Sequence, residues 1–365
     1  MRKAGSQTKT QRTTRRGPVL IGIIVLLIAA FTVARVFQHG HFRLTPSRDT
    51  APLGPATLTI RVLDVGQGDA ILLRLPDQES LLIDAGDQAH SSQLVAAIRA
   101  AGISRLNLLV ATHPHEDHIG GMAAVFNTVA VDEVWDSGYN QGSHIQERFL
   151  QTIRTRGIHF ATPRRGYLRT MGGVQLEVLA PAQLLSGTDS DANNNSLVIR
   201  ITFKKFSALL TGDMESAERE GISDWTHSTI LKVAHHGSRN GTDGAFLAQV
   251  QPELALISVG DNNEYRHPHP ETLRALRAAS IPYKATATDG TITVTTDGAQ
   301  FTVTSDRQSA NAARSASGSY IGNLRSLTFH RPTCERLPAA HNRVYFATRA
   351  DAIRQGYHPC SRCHP

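Results

Sequence analysis

The stretch ATHPHEDHIGG at residues 111–121 restricts the chemistry open to this chain more than any other segment. It follows an apolar run, so we expect a buried strand that ends in a loop of histidines and carboxylates. In an extended backbone alternate residues share a face, which places His113, His115 and Asp117 on one side and His118 on the other. One loop can then supply two adjacent metal ions, and imidazole with carboxylate favours Zn²⁺ or Mn²⁺ over Ca²⁺ or Mg²⁺.

Two other apolar runs also end at residues of metal-ligand type that stand next to a glycine. ALLTGD ends at Asp213, and ILKVAHHGS carries His235 and His236. Ligands gather where neighbouring strands terminate, so we expect these residues to lie beside the 113–118 loop. A strand-end aspartate taken alone is more often a turn or capping residue, but three such endings in one domain favour a shared site.

The basic character of the chain lies at its two ends. Residues 1–16 hold six basic and no acidic residues, and the segment from Arg307 onward holds nine arginines and two acids. The part between them has 23 basic and 29 acidic residues, so it gives no general electrostatic reason to bind nucleic acid. A basic tail can still hold a polyanion near an acidic, metal-requiring body.

An apolar stretch follows the basic N-terminus, with no charge from Gly17 to Ala34. We predict a cytoplasmic N-terminus at 1–16, a transmembrane helix at 17–37 that anchors the chain in the lipid bilayer, and a linker at 38–56. A cleaved secretory signal is the alternative, although the run is long for one and TVARVFQHG is a poor cleavage site. The remaining domains are extracytoplasmic on either interpretation, in a single-pass membrane protein or in a secreted one.

The rest of the chain divides into a large domain, a linker and a small module. Short strand-like runs such as TLTIRVLDV and SLLIDAG dominate residues 57–304, with helical patterns such as SSQLVAAIRAAGI between some of them. This pattern favours an α/β fold whose sheets are covered by helices on their outer faces. Residues 305–319, SDRQSANAARSASGS, are typical of a linker, and 320–365 form the small module.

Seven motifs of the large domain resemble the metallo-β-lactamase superfamily, and within it the hydrolase domain of ComEC-type DNA-uptake (competence) proteins. They are LDVGQGDAILLRLP (63–76), LLIDAG (81–86), THPHEDHIGG (112–121), NNNSLVIRI (193–201), LLTGD (209–213), LKVAHHGS (231–238) and YRHPHPETL (265–273). The resemblance implies an αββα sandwich with a dinuclear site at one edge of its two sheets. It also implies hydrolysis of a phosphodiester, with single-stranded DNA as the substrate and other DNA-uptake components as partners.

The resemblance further implies roles for individual residues. The metal ligands it implies are His113, His115, Asp117, His118, Asp213 and His235. His113 and His115 would bind one divalent cation, and Asp117 and His118 the other. Asp213 would bridge the two cations. His235 would be the last histidine ligand, with His236 as the alternative. Asp117 and Asp213 are the catalytic candidates, beside a hydroxide that the two ions share and that attacks phosphorus in line. The leaving-group acid stays open between Asp117, His267 and a metal-bound water.

One departure from the superfamily pattern concerns its third histidine. That residue is absent before Asp213, and DANNNS stands there, so Asn195 is a candidate contact with metal or substrate. Polar residues at other strand ends are expected to orient the ligands; they are Asp64, Gln67, Asp69 and Asp84. His267 and His269 are either substrate-phosphate contacts or two exposed histidines of a proline-rich surface loop.

The small module carries all three cysteines of the chain. Cys360 and Cys363 form a C-x-x-C turn, and His330 with Cys334 forms a second pair, a set that suits one structural, tetrahedral Zn²⁺. A disulfide is the rival in an exported protein, but it would leave one cysteine unpaired. The segment resembles the Ada-type metal-binding domain, in which cysteine often stands at the position of His330. Its excess of arginines suits either DNA contact or a solvated basic face.

Three functional interpretations remain from the sequence. The leading one is a membrane-anchored, extracytoplasmic nuclease or phosphodiesterase that acts on DNA. A second is a metal-dependent hydrolase of another substrate, such as a lactam, a thioester or a phosphocholine-type ester; the absent third histidine disfavours the zinc lactamase and thioesterase types. The third is a non-catalytic surface protein that binds DNA and presents it to a separate uptake machine.

Overall fold

A computed structural model describes residues 56–223, 225–307, 320–339, 342–346, 348–354 and 356–365. The predicted cytoplasmic N-terminus, the transmembrane helix at 17–37, almost all of the 38–56 linker and most of the 305–319 linker lie outside the described residues. Among the helices that are described, none has the length and apolar character needed to cross a bilayer.

The large domain is built from short strands and helices. Its strands are β1 Leu58–Val62, β2 Ile71–Arg74, β3 Ser80–Ile83, β4 Arg105–Leu106, β5 Leu108–Ala111, β6 Ala130–Val131, β7 Glu133–Asp136, β8 His159–Ala161, β9 Leu168–Met171, β10 Val174–Ala180, β11 Val198–Phe203, β12 Phe206–Leu210, β13 Ile230–Lys232, β14 Leu254–Ile257, β15 Tyr283–Ala285, β16 Ile292–Thr296 and β17 Phe301–Ser305. Its helices are α1 Ser91–Ala100, α2 Glu116–Ile119, α3 Met122–Thr128, α4 His144–Arg156, α5 Ser216–Glu220, α6 Gly244–Val250, α7 Pro270–Ala278 and α8 Thr286–Asp289.

Two mixed sheets hold most of these strands. The first has the order β17-β16-β1-β2-β3-β5-β7-β8, and the second β15-β14-β13-β12-β11-β10-β9. Strands β3, β5, β7 and β8 run parallel in the first sheet, and β12 to β15 run parallel in the second. Carboxyl ends of parallel strands meet at one edge of a sheet, which is where ligands bind in open α/β sheets.

The sheets pack face to face, and helices cover both outer faces. Alternate residues of β1 and β10, such as Ile60 and Leu176, are buried in one apolar cluster shared by both sheets. Leu94 of α1 and Phe149 of α4 cover the outer face of the first sheet, and Phe246 of α6 covers the second. Each such buried side chain contributes about 1.5–3 kcal/mol. The predicted αββα sandwich is confirmed.

The small module has its own sheet, with the order β20-β18-β19-β21. Its elements are β18 Tyr320–Asn323, β19 Thr328–His330, β20 Arg343–Phe346, α9 Arg349–Arg354 and β21 His358–Pro359. Four buried residues, Phe329, Phe346, Ala352 and Tyr357, make its apolar cluster. So small a core supplies little stability, which is the physical reason to expect a metal or another cross-link in such a module.

Candidate metal centre

The residues at the carboxyl ends of strands from both sheets converge on one point. Asp84 follows β3 and His113 follows β5 in the first sheet, whereas Asp213 follows β12 and His236 follows β13 in the second. Asp213 is the meeting point, because its Oδ1 lies 3.3 Å from His118 Nε2 and its Oδ2 lies 3.5 Å from His236 Nε2. The structure thus brings together segments that are about a hundred residues apart in the sequence.

Four side chains form a compact group of possible ligands: Asp117, His118, Asp213 and His236, whose ligand atoms all lie within 4.8 Å of one another. His236 Nε2 is 3.2 Å from Asp117 Oδ2. Two atoms of the group, His118 Nε2 and Asp213 Oδ1, are buried and make no well-directed hydrogen bond. Buried polar atoms without partners are costly, so they fit a bound cation in their midst.

Contacts behind the two histidines fix how their rings face this group. His118 Nδ1 lies 2.7 Å from Asp84 Oδ2, and Asp84 also accepts hydrogen bonds from the backbone and hydroxyl of Thr112. His236 Nδ1 donates to the Ser258 carbonyl at 2.9 Å. With Nδ1 engaged in both rings, Nε2 is left for a metal, the arrangement that orients histidine ligands in metalloproteins.

Three further imidazoles lie near the Asp213 carboxylate and the four-ligand group. His113 Nε2 is 3.0 Å from His115 Nδ1 and 3.9 Å from Asp213 Oδ2. His235 Nε2 is 3.6 Å from the same Oδ2 atom, and its Nδ1 faces Glu215 Oε1 at 3.0 Å. The Asp213 carboxylate therefore has the imidazoles of four histidines within 4 Å, namely His113, His118, His235 and His236.

The local backbone explains how adjacent residues reach different places. Asp117 and His118 lie in the short helix α2, not in an extended loop, so the expected alternation of faces holds only as far as His115. His235 and His236 both have positive φ, 48° and 52°, a strained conformation for residues with a Cβ. The resulting turn buries His236 in the four-ligand group and leaves His235 23% exposed.

Burial and charge together set the protonation of these groups. Burial opposes ionisation of Asp213, but His236 and His118 hold the pKa of its carboxyl well below the usual range. Burial opposes protonation of His236, yet Asp213, Asp117 and Asp69 raise its pKa to about 10. Burial and the neighbouring His118 keep the pKa of His113 well below its usual range. A divalent cation would replace the protons that otherwise balance the carboxylates.

A cavity of about 490 Å³ opens onto this site. The residues that line it are Gln67, Asp87, His115, Glu116, Asp117, Gln141, Asp213, His235, His236, Glu264, Tyr265 and His267. The buried Nε2 of Gln67 has no hydrogen-bond partner, while its Oε1 accepts from the Gly260 backbone. His267 is thus at the cavity wall, whereas His269 lies outside the lining and its Nδ1 accepts from the Arg239 backbone at 3.1 Å.

The small module gathers the second predicted ligand set. His330, Cys334, Cys360 and Cys363 place one ligand atom each within 4.8 Å of the others. All three cysteines are free thiols, which leaves the disulfide alternative without support. Backbone N–H groups of Arg331 and Arg362 point at the sulfurs of Cys363 and Cys360. Such donors stabilise thiolate sulfur, and three thiolates with one imidazole suit tetrahedral Zn²⁺.

Comparison with known families agrees with this geometry. Residues 63–169 match the profile of the metallo-beta-lactamase superfamily. The chain carries a metallo-beta-lactamase domain. Residues 306–365 match the metal binding domain of Ada, so the small module is of that family. The metallo-beta-lactamase domain places the large body of the chain among the metallo-hydrolases.

Three curated relatives match a large part of this chain. ComE operon protein 3 of Bacillus subtilis (strain 168) is 32% identical over an alignment of 253 residues that covers 64% of this chain and 32% of that protein. Competence protein ComA of Neisseria gonorrhoeae is 31% identical over 249 residues, 67% and 33% of the two chains. Recombination protein 2 of Haemophilus influenzae is 30% identical over 250 residues, 66% and 29%. The chain spans about a third of the length of these relatives.

Two candidates lie away from the ligand groups of the metallo-beta-lactamase domain. Asn195, expected to touch metal or substrate, makes its hydrogen bonds with the preceding loop. Its amide N–H groups donate to the Leu185 and Asp191 carbonyls, and its amide oxygen accepts from the Leu185 N–H. Both N–H groups of the amide are thus used within this loop, and Asn195 does not line the cavity, so its contact with metal or substrate stays a prediction. Asp64 contacts Thr291 and Arg307 instead of the ligands.

Sequence reasoning missed two contributors to the metallo-beta-lactamase site. Ser196 Oγ accepts from the Asp213 N–H at 3.1 Å and lies 3.5 Å from His113 Nδ1. Lys232 is completely buried, and its Nζ lies 2.7 Å from Asp69 Oδ2. A lysine inside the apolar run ILKV was the available signal, since a buried charge requires a partner.

Proposed function

We propose that the metallo-beta-lactamase domain hydrolyses phosphodiester bonds of DNA, preferentially single-stranded, with two divalent cations, Zn²⁺ or Mn²⁺. The observation that carries this proposal is the position of Asp213. Its Oδ1 faces the Nε2 atom of His118, and its Oδ2 faces those of His113, His235 and His236, all within 4 Å. A carboxylate shared in this way is suited to a two-metal hydrolytic site.

The four-ligand group fits one ion, and we propose that the neighbouring imidazoles complete a second site. Asp117, His118, Asp213 and His236 would hold one, and His113, His115 and Asp213 would hold the other, with His235 as the additional ligand in place of the absent third histidine. Bound there, the ions supply a hydroxide at neutral pH and neutralise charge on the phosphate. The unpartnered atoms of His118 and Asp213 support this occupancy.

Residues of the chain itself prepare the cavity for a phosphodiester. Asp117 is the more exposed carboxylate of the four-ligand group, with 28% of its side chain accessible, so it faces both ion and substrate. It can accept the proton of the attacking water. Gln67 also lines the cavity, and its Nε2 is a buried donor without a hydrogen-bond partner, so a small shift of its side chain would let it donate to a phosphate oxygen.

The choice of DNA as substrate rests on the relatives. One of them is named a competence protein and another a recombination protein, and each is matched over about two thirds of this chain. We further propose that the apolar 17–34 stretch anchors the chain in a membrane, with the catalytic domain on the extracytoplasmic side, where it processes incoming DNA beside other uptake components.

The decisive experiment is a cleavage assay on the purified full chain. Single-stranded and duplex oligonucleotides are incubated with Mn²⁺ or Zn²⁺, using the unsubstituted chain, Asp213→Asn and the control Asp132→Asn, whose exposed carboxylate pairs with Arg105. We expect cleavage by the unsubstituted chain and the control, with loss by at least about a hundredfold in Asp213→Asn.

Two outcomes would overturn the nuclease proposal. One is cleavage that survives both Asp213→Asn and a chelator, because it would then come from a contaminant. The other is the absence of cleavage by a correctly folded, metal-loaded chain with any of these substrates, which would favour a DNA-presenting protein if the oligonucleotides still bind.

A further inference from the structure

An aromatic side chain stands exposed at the mouth of the metal cavity. Tyr265 is 56% exposed, and it lines the same cavity as Asp117, Asp213 and His236. Exposed tyrosines are common on protein surfaces, so exposure alone means little. Tyr265, however, lies at the entrance to the cavity that contains the Asp213 carboxylate. Tyr283 on β15 is 39% exposed but does not line this cavity.

The Tyr265 ring is held in place before any substrate arrives. It stacks on the ring of His267, with centroids 5.7 Å apart and planes inclined by 25°. His267 in turn packs edge-on against His235 at 5.3 Å. Asn263 ties the loop together, because its amide donates to the Gly260 and His267 carbonyls and accepts from the His267 N–H. The ring therefore needs little ordering on binding.

Charges around the cavity favour an uncharged contact at its mouth. Among the described residues that line it there is no lysine or arginine, whereas Asp87, Glu116 and Glu264 add carboxylates beyond the ligands. A strand that enters cannot be held at this entrance by basic side chains on its phosphates, as most nucleic-acid surfaces would hold it. A nucleobase, being neutral and flat, can bind there by stacking.

We propose that Tyr265, supported by His267, is a stacking platform for the nucleobase adjacent to the phosphodiester that is hydrolysed. This inference rests on the proposed nuclease function and adds a specificity-determining residue to it. The platform selects single strands, because a base within a duplex is already stacked and paired and must first be extruded from the helix.

The test separates binding from cleavage. Fluorescence anisotropy of a labelled, hydrolysis-resistant phosphorothioate oligothymidylate is measured with Mn²⁺ for the full chain, Tyr265→Ala, Tyr265→Trp and the control Tyr283→Ala. A second oligomer carries abasic nucleotides in place of the bases. Stacking on one aromatic ring predicts that Tyr265→Ala binds the normal oligomer about 5- to 140-fold more weakly, while Tyr265→Trp and the control bind as the unsubstituted chain does.

The abasic oligomer makes the interpretation specific. It should bind weakly to the unsubstituted chain and lose nothing further in Tyr265→Ala, because the partner of the ring is missing. Equal losses for both oligomers, or no loss for either, would overturn the platform. If the unsubstituted chain binds the oligomer in this base-dependent way but cleaves no DNA, the nuclease proposal fails while the platform stands.

Discussion

Lys232 carries a charge into the fully buried strand β13. Its Nζ contacts Asp69 Oδ2 at 2.7 Å and donates to the Val233 carbonyl. Asp69 Oδ1 lies 3.3 Å from His236 Nδ1, and the Asp69 N–H donates to the Asp117 carbonyl. Burial opposes ionisation of Asp69, but Lys232 and His236 lower its pKa to about 2. The ion pair thus holds Asp69 in contact with His236 and with the backbone of Asp117, two of the proposed ligands.

Replacing Lys232 should destabilise the fold, because the buried Asp69 carboxylate would lose its ion-pair partner. We expect Lys232→Met to lower the free energy of unfolding by about 3–5 kcal/mol, because Asp69 loses its partner inside the protein. Urea unfolding followed by tryptophan fluorescence measures this, since both tryptophans, Trp135 and Trp225, lie in the large domain. The double variant Lys232→Met with Asp69→Asn should recover part of the loss. A single variant as stable as the parent would contradict the argument.

Asp136 at the end of β7 offers a pH-dependent test. It is 3% exposed, and burial raises its pKa from 3.8 to about 6, against the opposing effects of the Gly138 N–H and Arg164. The folded state therefore binds the proton more tightly than the unfolded state. This carboxyl contributes stability below about pH 4, and the contribution is lost as the pH rises towards 6.

The isosteric Asp136→Asn variant removes this titration. At pH 8 we expect it to unfold with a free energy up to about 3 kcal/mol higher than the parent, and below pH 4 we expect no difference. Urea unfolding across this pH range, with exposed Asp132→Asn as the control, measures the effect. A difference that does not change with pH would show that the carboxyl is not responsible.

At the scale of elements, the loop between β1 and β2 sets the position of α2. Gly68 has φ +135°, and a Cβ there would lie 2.2 Å from the Asp117 carbonyl oxygen. A Cβ on Gly121 would lie 2.1 Å from the Ala85 carbonyl. Both glycines permit a close backbone contact that a residue with a Cβ would prevent. The contact at Gly68 lets the backbone of Asp117 lie directly against the β1–β2 loop, which fixes the position of the ligands on α2.

Gly68→Ala should therefore displace the ligands on α2. We expect the variant to lose metal from the four-ligand group and at least about tenfold of its activity, because the backbone of Asp117 has to move. Metal content by mass spectrometry provides the readout. Gly102→Ala is the matched control, because Gly102 also has positive φ (+66°) but a Cβ there would meet no other atom. This control therefore shows only the cost of the backbone conformation, about 1–2 kcal/mol, without a steric clash. Equal metal content in both variants would refute this role of the contact.

Much of this arrangement was predictable because strand ends are visible in a sequence. The apolar runs before His113, Asp213 and His235 identified three strand termini, and the αββα sandwich brings them to one edge. The choice between His235 and His236 was not predictable, because it depends on two consecutive positive φ angles that only the surrounding packing imposes. The hydrogen bonds of Asn195 were not predictable for a similar reason, because its partners lie in an irregular loop.

At the scale of the whole molecule, the two candidate metal sites belong to different sheets and apolar clusters. The large domain has extensive apolar clusters between and outside its sheets, whereas the small module has one cluster of four buried residues. We expect metal in the first site to serve the proposed hydrolysis and metal in the second to stabilise the fold of the small module. Removal of each metal should therefore have distinct consequences.

Cys360→Ser tests the structural site. We expect about one zinc per chain to be lost and the 320–365 segment to become sensitive to proteolysis, because the module depends on metal for its stability. The tryptophan-monitored unfolding of the large domain should stay unchanged. Ser361→Ala, between the two ligating cysteines, is the matched control and should keep its zinc. Retention of zinc by Cys360→Ser would contradict the assigned ligand set.

The division of the ligands between two sheets affects when this protein can act. His118 belongs to the first half of the large domain, and Asp213 and His236 belong to the second. Until residue 236 has been synthesised and the later sheet has packed on the earlier one, a nascent polypeptide has no complete four-ligand group. Under the proposed hydrolytic function, activity therefore arises only after both halves of the large domain have folded together.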